Sequence, residues 1–213
     1  MPSQAAMDYL RDPQAITRRS FEIVRAECDL SGLPDDVGEI ALRLVHACGM
    51  PDILGDLAWH PDVARAARSA LAGGAPVLAD CRMVAEGVTR KRLPAENTVL
   101  ATLDDPAVPD LAQAQSTTRS AAALEFWRPH LAGAVVAIGN APTALFRLLE
   151  ILDEDVEPPA AILAFPVGFV GAAESKQALI EADLPVPYIT LRGRRGGSAL
   201  AAAAVNAAAA PGP

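Results

Sequence analysis

Between Asp36 and Asp52 the chain alternates apolar and polar positions with the period of a helix. Val37, Ile40, Ala41, Leu44, Val45 and Cys48 recur at the i, i+3, i+4, i+7, i+8 spacing of a core-facing stripe. At about 100° per residue, Glu39, Arg43 and His46 fall roughly opposite, with Arg43 and His46 one turn apart. Leu42 and Met50 are expected on that far side too. It is then more apolar than a solvated face requires, and a cleft or a second subunit should cover it.

Upstream, Asp12-Pro13 is a helix-start signal, an acid able to cap the first amides followed by a proline suited to the first turn. The pattern predicts a helix to about Leu30, with Ile16, Ile23, Val24 and the stem of Glu27 on its packed side and Ser20 inside that stripe. Leu33-Pro34-Asp35-Asp36 breaks the chain and caps the next helix. Further on, His60-Pro61 favours extended geometry, Asp62–Ala72 reads as helical, and Gly73-Gly74 ends it.

From Ala75 the period changes. Pro76–Ala79, Val99–Leu103, Val135–Ile138, Ile162–Val167 and Tyr188–Leu191 read as strands, and Thr118–Arg128, Pro142–Leu152, Ala172–Ala182 and Ser198–Ala209 as helices between them. Uninterrupted apolar strands alternating with helices predict an α/β fold. Its largely parallel sheet carries helices on both faces and follows an N-terminal helical segment. Right-handed crossovers would place ligands at the carboxyl ends of the strands.

Composition narrows the class. The 213 residues suit one domain with one core, spanning 1–213. Although 51% of residues are hydrophobic, no apolar run reaches the roughly 18 residues of a membrane span. The opening MPSQAAMDYLRDPQ lacks the basic-then-apolar layout of a signal peptide, so a cytoplasmic protein without a membrane partner is expected. Cys28, Cys48 and Cys81 fit neither a disulfide framework nor a zinc site and are read as small buried hydrophobes. A net charge of -8 argues against a nucleic-acid footprint, which would need clustered positive charge. An anionic ligand would have to be drawn by local arginines.

Candidate chemistry is sparse. Three strand-to-helix turns, Gly139–Thr143, Gly168–Gly171 and Gly193–Ser198, offer backbone amides at helix N-termini, a natural seat for a carboxylate. None matches a Walker loop or GxGxxG, and glycine at such turns is often structural. Gly87-Val88-Thr89-Arg90-Lys91-Arg92 packs three cations into six residues, and Thr117-Thr118-Arg119-Ser120 opens a helix with hydroxyls and another. Guanidinium groups pair bidentately with carboxylates. Lys91 and Arg92 are read as a solvated charge run, whereas Arg90 and Arg119 sit at constrained positions and are the stronger candidates. Ser20 is as consistent with bonding to the carbonyl four residues back as with a ligand contact. GxSxG, HExxH and a thiol-activating Cys/His spacing are all missing from the sequence. His60 and His130 fall at turns, leaving His46 as the one plausible acid-base group, although an exposed His beside an Arg is more often surface decoration.

Seven runs, RRSFEIVRAE, RLVHACG, AEGVTRKRL, TTRSAAA, VVAIGNAPTALF, PVGFVGAAESK and RGRRGGSA, together resemble the precorrin-8X methylmutase family of cobalamin biosynthesis. The resemblance spans about Tyr9 to Asn206 and leaves residues 1–8 and 207–213 outside, where fraying is expected. It implies an isomerase that moves a methyl group between adjacent ring carbons of precorrin-8X to give hydrogenobyrinic acid, with no cofactor and no metal. By motif position it implies His46 as catalytic and Ser20 and Arg43 as substrate contacts. With the basic and glycine segments the expected substrate-binding set becomes Ser20, Arg43, Thr89, Arg90, Arg119 and Gly168. A methyl shift has no leaving group and needs no nucleophile, in keeping with the lone histidine. A polycarboxylate macrocycle would explain arginines in an acidic chain, and its breadth suggests a homodimer, with hand-over to neighbouring pathway enzymes. Three alternatives stay open: a carrier for such a tetrapyrrole, the cobalt-precorrin-8 methylmutase of the oxygen-independent route, and a nucleotide-dependent α/β enzyme. The last is disfavoured by the absent phosphate motifs.

Overall fold

A computed structural model describes residues 9–210. Two helices come first, α1 at Pro13–Glu27 and α2 at Asp35–Cys48. Asp12 caps α1 as expected, its carboxylate accepting from the Ala15 amide at 2.6 Å. α1 stops at Glu27, and Cys28 is extended. A 3-10 turn at Pro51–Asp56 leads into β1 (Leu57–Trp59), followed by α3 (Val63–Ala72), β2 (Val77–Ala79) and α4 (Arg82–Gly87). After a 3-10 turn at Arg90–Arg92 come β3 (Val99–Leu100), α5 (Val108–Ala114) and α6 (Arg119–Ala122). The remainder is β4 (Val135–Ile138), α7 (Pro142–Leu152), β5 (Ala161–Ala164), α8 (Ala172–Glu181), β6 (Tyr188–Leu191) and α9 (Ser198–Ala209).

The six strands form one sheet in the order β1-β6-β5-β4-β2-β3. All pairings are parallel except that of edge strand β1, which runs antiparallel to β6 with Leu57 opposite Leu191. β4 and β5 are buried at every position, as strands covered on both faces must be. Successive side chains point to opposite layers. Val135, Ala137 and Leu163 join residues of α2, α3, α4 and α9, while Val136, Ile138, Ile162 and Ala164 join residues of α7 and α8.

α9 lies centrally in the first layer, and its alanine-rich sequence permits very close approach. A Cβ on Gly87 would meet the Ala202 Cβ at 2.6 Å, and one on Gly139 would meet the Ser198 Cα at 2.6 Å. α9 covers the expected Ser198–Ala209 to its last residue. Ala207, Ala208 and Ala209 were expected to fray but are buried in its last turn. The rest of the expected frayed ends, residues 1–8 and 211–213, lie outside the described residues.

Several expectations shift. Leu42 is fully buried and flanks the apolar stripe of α2, so the far face of that helix does not carry it. Ile16 and Ile23 are exposed at 44% and 41%, and α1 buries Phe21 instead, one residue round the helix from Ser20. The expected helix Thr118–Arg128 is four α-helical residues followed by a 3-10 segment at Ala123–His130. Three residues per turn bring Leu124 and Trp127 onto one face, and both are buried in the second layer. β1, α4 and α5 carried too short a pattern to be read. Among the described residues no helix is long and apolar enough to cross a membrane.

Candidate active site

α1 crosses the outer face of α2 and brings two consecutive residues against His46. The Ser20 hydroxyl lies 2.9 Å from His46 Nδ1, so it meets the imidazole and not the carbonyl four residues back. The Phe21 ring stacks on the imidazole with centroids 4.7 Å apart and planes inclined at 21°. The Arg43 guanidinium sits 5.4 Å from the Phe21 centroid. The one-turn spacing of Arg43 and His46 thus reappears as a shared wall.

Two clefts meet at that wall. One, of about 550 Å³, is lined by Pro13, Gln14, Thr17, Arg18, Phe21, Arg43, His46 and Arg92. The other, of about 280 Å³, runs along α9 and is bounded by Arg43, His46, Gly87 and Asn206 with small alanines between them. Three arginines and a histidine line the pair, and neither cleft has a carboxylate in its lining. Burial pulls the Arg43 guanidinium down from its ordinary pKa, and the charge of Arg92 adds to that shift. Nearby Glu39 opposes it, but Glu39 pairs with Arg25 at 2.6 Å. An anion entering here would relieve repulsion between cations that folding has brought together. By contrast, a cleft of about 480 Å³ at the other end of α2 mixes Arg25 and Arg68 with Asp35, Asp36 and Glu39.

Asn206 ties the basic corner to α9. Its amide oxygen accepts from the Thr89 amide at 2.8 Å, and its nitrogen donates to the Gly87 carbonyl at 3.0 Å. Its own carbonyl accepts from Arg92 Nε at 3.4 Å. The cations of this segment therefore divide differently from the sequence reading. Arg92 lines the cleft while also donating to the Asn206 and Ala210 carbonyls at the end of α9, whereas Arg90 lies outside both linings and turns back to the carbonyls of Ala85 and Val88 at 3.0 and 3.3 Å, capping the end of α4.

The expectation that ligands sit at the carboxyl ends of the strands is not met by these clefts, whose linings include no strand or strand-to-helix turn. The first amide-rich turn is already filled from within. The Asp80 carboxylate, at the end of β2, accepts from the amides of Gly139, Asn140 and Ala141 at 3.0, 2.9 and 2.8 Å. Likewise the Gly197 amide donates to Phe165 and that of Gly168 to Arg194. Arg119 donates to the Leu103 carbonyl at 3.3 Å from α6, which packs against α7 in the other helical layer. Neither Arg119 nor Gly168 lines the clefts beside His46. So the fold gathers Ser20, Arg43 and His46, holds Thr89 at the rim through Asn206, and leaves Arg119 and Gly168 elsewhere. Phe21 and Asn206 escaped the sequence reading, which assigns Arg92 to a solvated charge run. RRSF and the end of the alanine helix held the only signals for Phe21 and Asn206, and neither looks chemical. Among the described residues no cluster of His, Cys, Asp and Glu is arranged to hold a metal.

The chain as a whole is similar to several known proteins. A family model described as Precorrin-8X methylmutase matches residues 15–210. A Precorrin-8X methylmutase of Pseudomonas aeruginosa is 60% identical over 203 residues, covering 95% of this chain and 98% of that protein. A Cobalt-precorrin-8 methylmutase of Priestia megaterium is 35% identical, covering 92% and 86%. The crystal structure of a precorrin-8x methyl mutase from Thermus thermophilus superposes with a TM-score of 0.83 at 37% identity, covering 92% of this chain and 94% of that one.

Proposed function

Because the chain belongs to the precorrin-8X methylmutase family, and is therefore an isomerase acting on a tetrapyrrole, we propose that it converts precorrin-8X to hydrogenobyrinic acid with His46 as general acid and base. The observation that carries this reading is the cleft itself. His46 stands among Arg18, Arg43 and Arg92 with no carboxylate in the lining, in a protein of net charge -8. That is a site for a substrate rich in carboxylates.

A methyl shift between neighbouring ring carbons releases nothing. The enzyme has to hold the macrocycle, deliver a proton where charge develops, and take it back. Ser20 occupies Nδ1 of His46, which leaves Nε2 to exchange that proton with the substrate. A positioned general acid contributes roughly 10²–10⁴ in rate. The arginines bind the acid side chains of the macrocycle, with Arg18, Arg43 and Arg92 lining the cleft beside the histidine. The higher identity to the Pseudomonas enzyme than to the cobalt-precorrin-8 enzyme supports the cobalt-free substrate.

The cleft is wide and open, and α1 leaves Ile16 and Ile23 exposed on its outer surface with Met50 at 39%. A second copy of the chain covering these groups is part of the proposal, and it could bring Arg119 or Gly168 of the partner toward the substrate. The competing reading is a carrier that holds the tetrapyrrole without changing it. Incubation with precorrin-8X, followed by absorption spectroscopy, decides between them. Conversion of many equivalents per protein is expected, and a spectral change that stops at one equivalent would establish the carrier.

A further inference from the structure

We infer that Phe21 is a positioning residue that fixes the plane of the His46 imidazole, and that the ring of Phe21, not merely its bulk, is what the reaction requires. This rests on the reading of His46 as the proton donor. An exposed side chain samples its rotamers in picoseconds to nanoseconds, and His46 is exposed on the outer face of α2. A general acid must nevertheless wait within hydrogen-bond reach of its target in one orientation. The Ser20 contact at 2.9 Å restrains a single ring nitrogen and leaves the imidazole free to swing about that bond. A ring stacked at 4.7 Å with an inclination of 21° removes the remaining rotation.

Phe21 can act as such a stop because it is itself immobilised. It is the buried residue of α1, 9% exposed, while Ile16 and Ile23 on the same helix face solvent. The Arg43 guanidinium lies 5.4 Å from its ring centroid, one turn of α2 before the histidine. Consecutive positions on α1 therefore divide the task, Ser20 setting the nitrogen and Phe21 setting the plane. Phe21 also lines the cleft that Arg18 and Arg92 complete from α1 and the basic corner. The groups facing the imidazole are thus one hydroxyl, one aromatic ring and a set of cations.

The test uses the full chain with precorrin-8X and compares kcat and KM for the parent, Phe21→Leu, Phe21→Tyr and His46→Ala. A small misplacement of a catalytic group costs on the order of 10²-fold, so Phe21→Leu is expected to lower kcat by about that factor while KM moves less than about threefold. Phe21→Tyr keeps the ring and should recover most of the rate. Parental kcat in Phe21→Leu, a loss confined to KM, or a Tyr variant as slow as the Leu variant would each overturn the assignment. A second readout needs no variant. In the parent protein the carbon-bound ring protons of His46 should show the upfield displacement of a stacked aromatic neighbour, and their absence from that position would overturn it even if every Phe21 variant unfolds. The two readings separate cleanly. Turnover by His46→Ala at the parental rate removes the acid-base role of His46, whereas an inactive His46→Ala beside a fully active Phe21→Leu removes only the role given to Phe21.

Discussion

At the residue scale the site depends on contacts that one helix makes with another. His46→Ala removes an exposed ring and one stacked aromatic pair, worth about 0.5–1.5 kcal/mol. The melting temperature should therefore fall by only a few degrees, at roughly 2–4 °C per kcal/mol for a domain of this size. Methyl transfer should drop by about 10²–10⁴. Near-parental kcat in a folded variant would show that another group supplies the proton. The arginines make a separate prediction. Arg43→Ala and Arg92→Ala should each weaken product binding by about 1.5–3 kcal/mol, the range for hydrogen bonds to charged groups, and raising salt should weaken the parent's binding as well. Arg90→Ala should lower stability with little effect on affinity, since its guanidinium is bonded to the Ala85 and Val88 carbonyls and lies outside both cleft linings. Titration of product at low and high salt checks all three, and salt-independent binding would place the ligand on another surface.

At the scale of the element, amides at the start of a helix look like an anion site until the neighbouring strand is seen. The turn Gly139–Ala141 leads into α7, and three of its amides already receive the Asp80 carboxylate from β2. Burial pushes the Asp80 carboxyl upward in pKa while those amides pull it down, and the net direction is upward. Asp80→Ala would strand the three donors at a cost of about 1–3 kcal/mol each where they stay dry. Chemical denaturation should show a loss of roughly 3 kcal/mol or more. A loss below about 1 kcal/mol would mean that water replaces the carboxylate without penalty. The alanines of α9 show the same dependence on context. Read alone they are a bland helix, yet their small size lets Gly87 approach, so that Thr89 bonds to Asn206 and Arg92 joins His46 in the cleft lining.

Across the whole molecule, two properties follow from how the layers close. Lys176 on α8 is fully buried and donates to the Arg195 carbonyl at 2.5 Å. Burial pushes its ammonium down to about 8, against the pull of Asp56, while the unfolded chain keeps the ordinary value near 10.4. Between these values the unfolded state binds more protons than the native one, so the Lys176 contribution rises with pH over that window and is lost as pH falls through about 8. The parent should accordingly gain stability relative to Lys176→Met from about pH 8 to pH 10, by at most about 1.4 kcal/mol per pH unit. A pH-independent difference between the two would contradict it. The second property is assembly. Exposed Ile16, Ile23 and Met50 predict a homodimer, and light scattering that gives the mass of one chain at micromolar concentration would remove that expectation.

The sequence alone determined what depends on local period and on chemistry confined to one helix. Uninterrupted apolar runs announced a parallel sheet covered on both sides, the Asp12 cap marked the start of α1, and the 3.6-residue repeat of α2 put Arg43 and His46 on one face. The tertiary structure decided everything that depends on which elements touch. It turned α1 so that Phe21 and not Ile16 or Ile23 is buried, gave the cleft Arg92 and Arg90 the helix end, and filled the Gly139 turn with Asp80. The physical reason is that periodicity fixes the relative angles of side chains within an element, whereas the direction in which an element faces is set by long-range packing that no local pattern records.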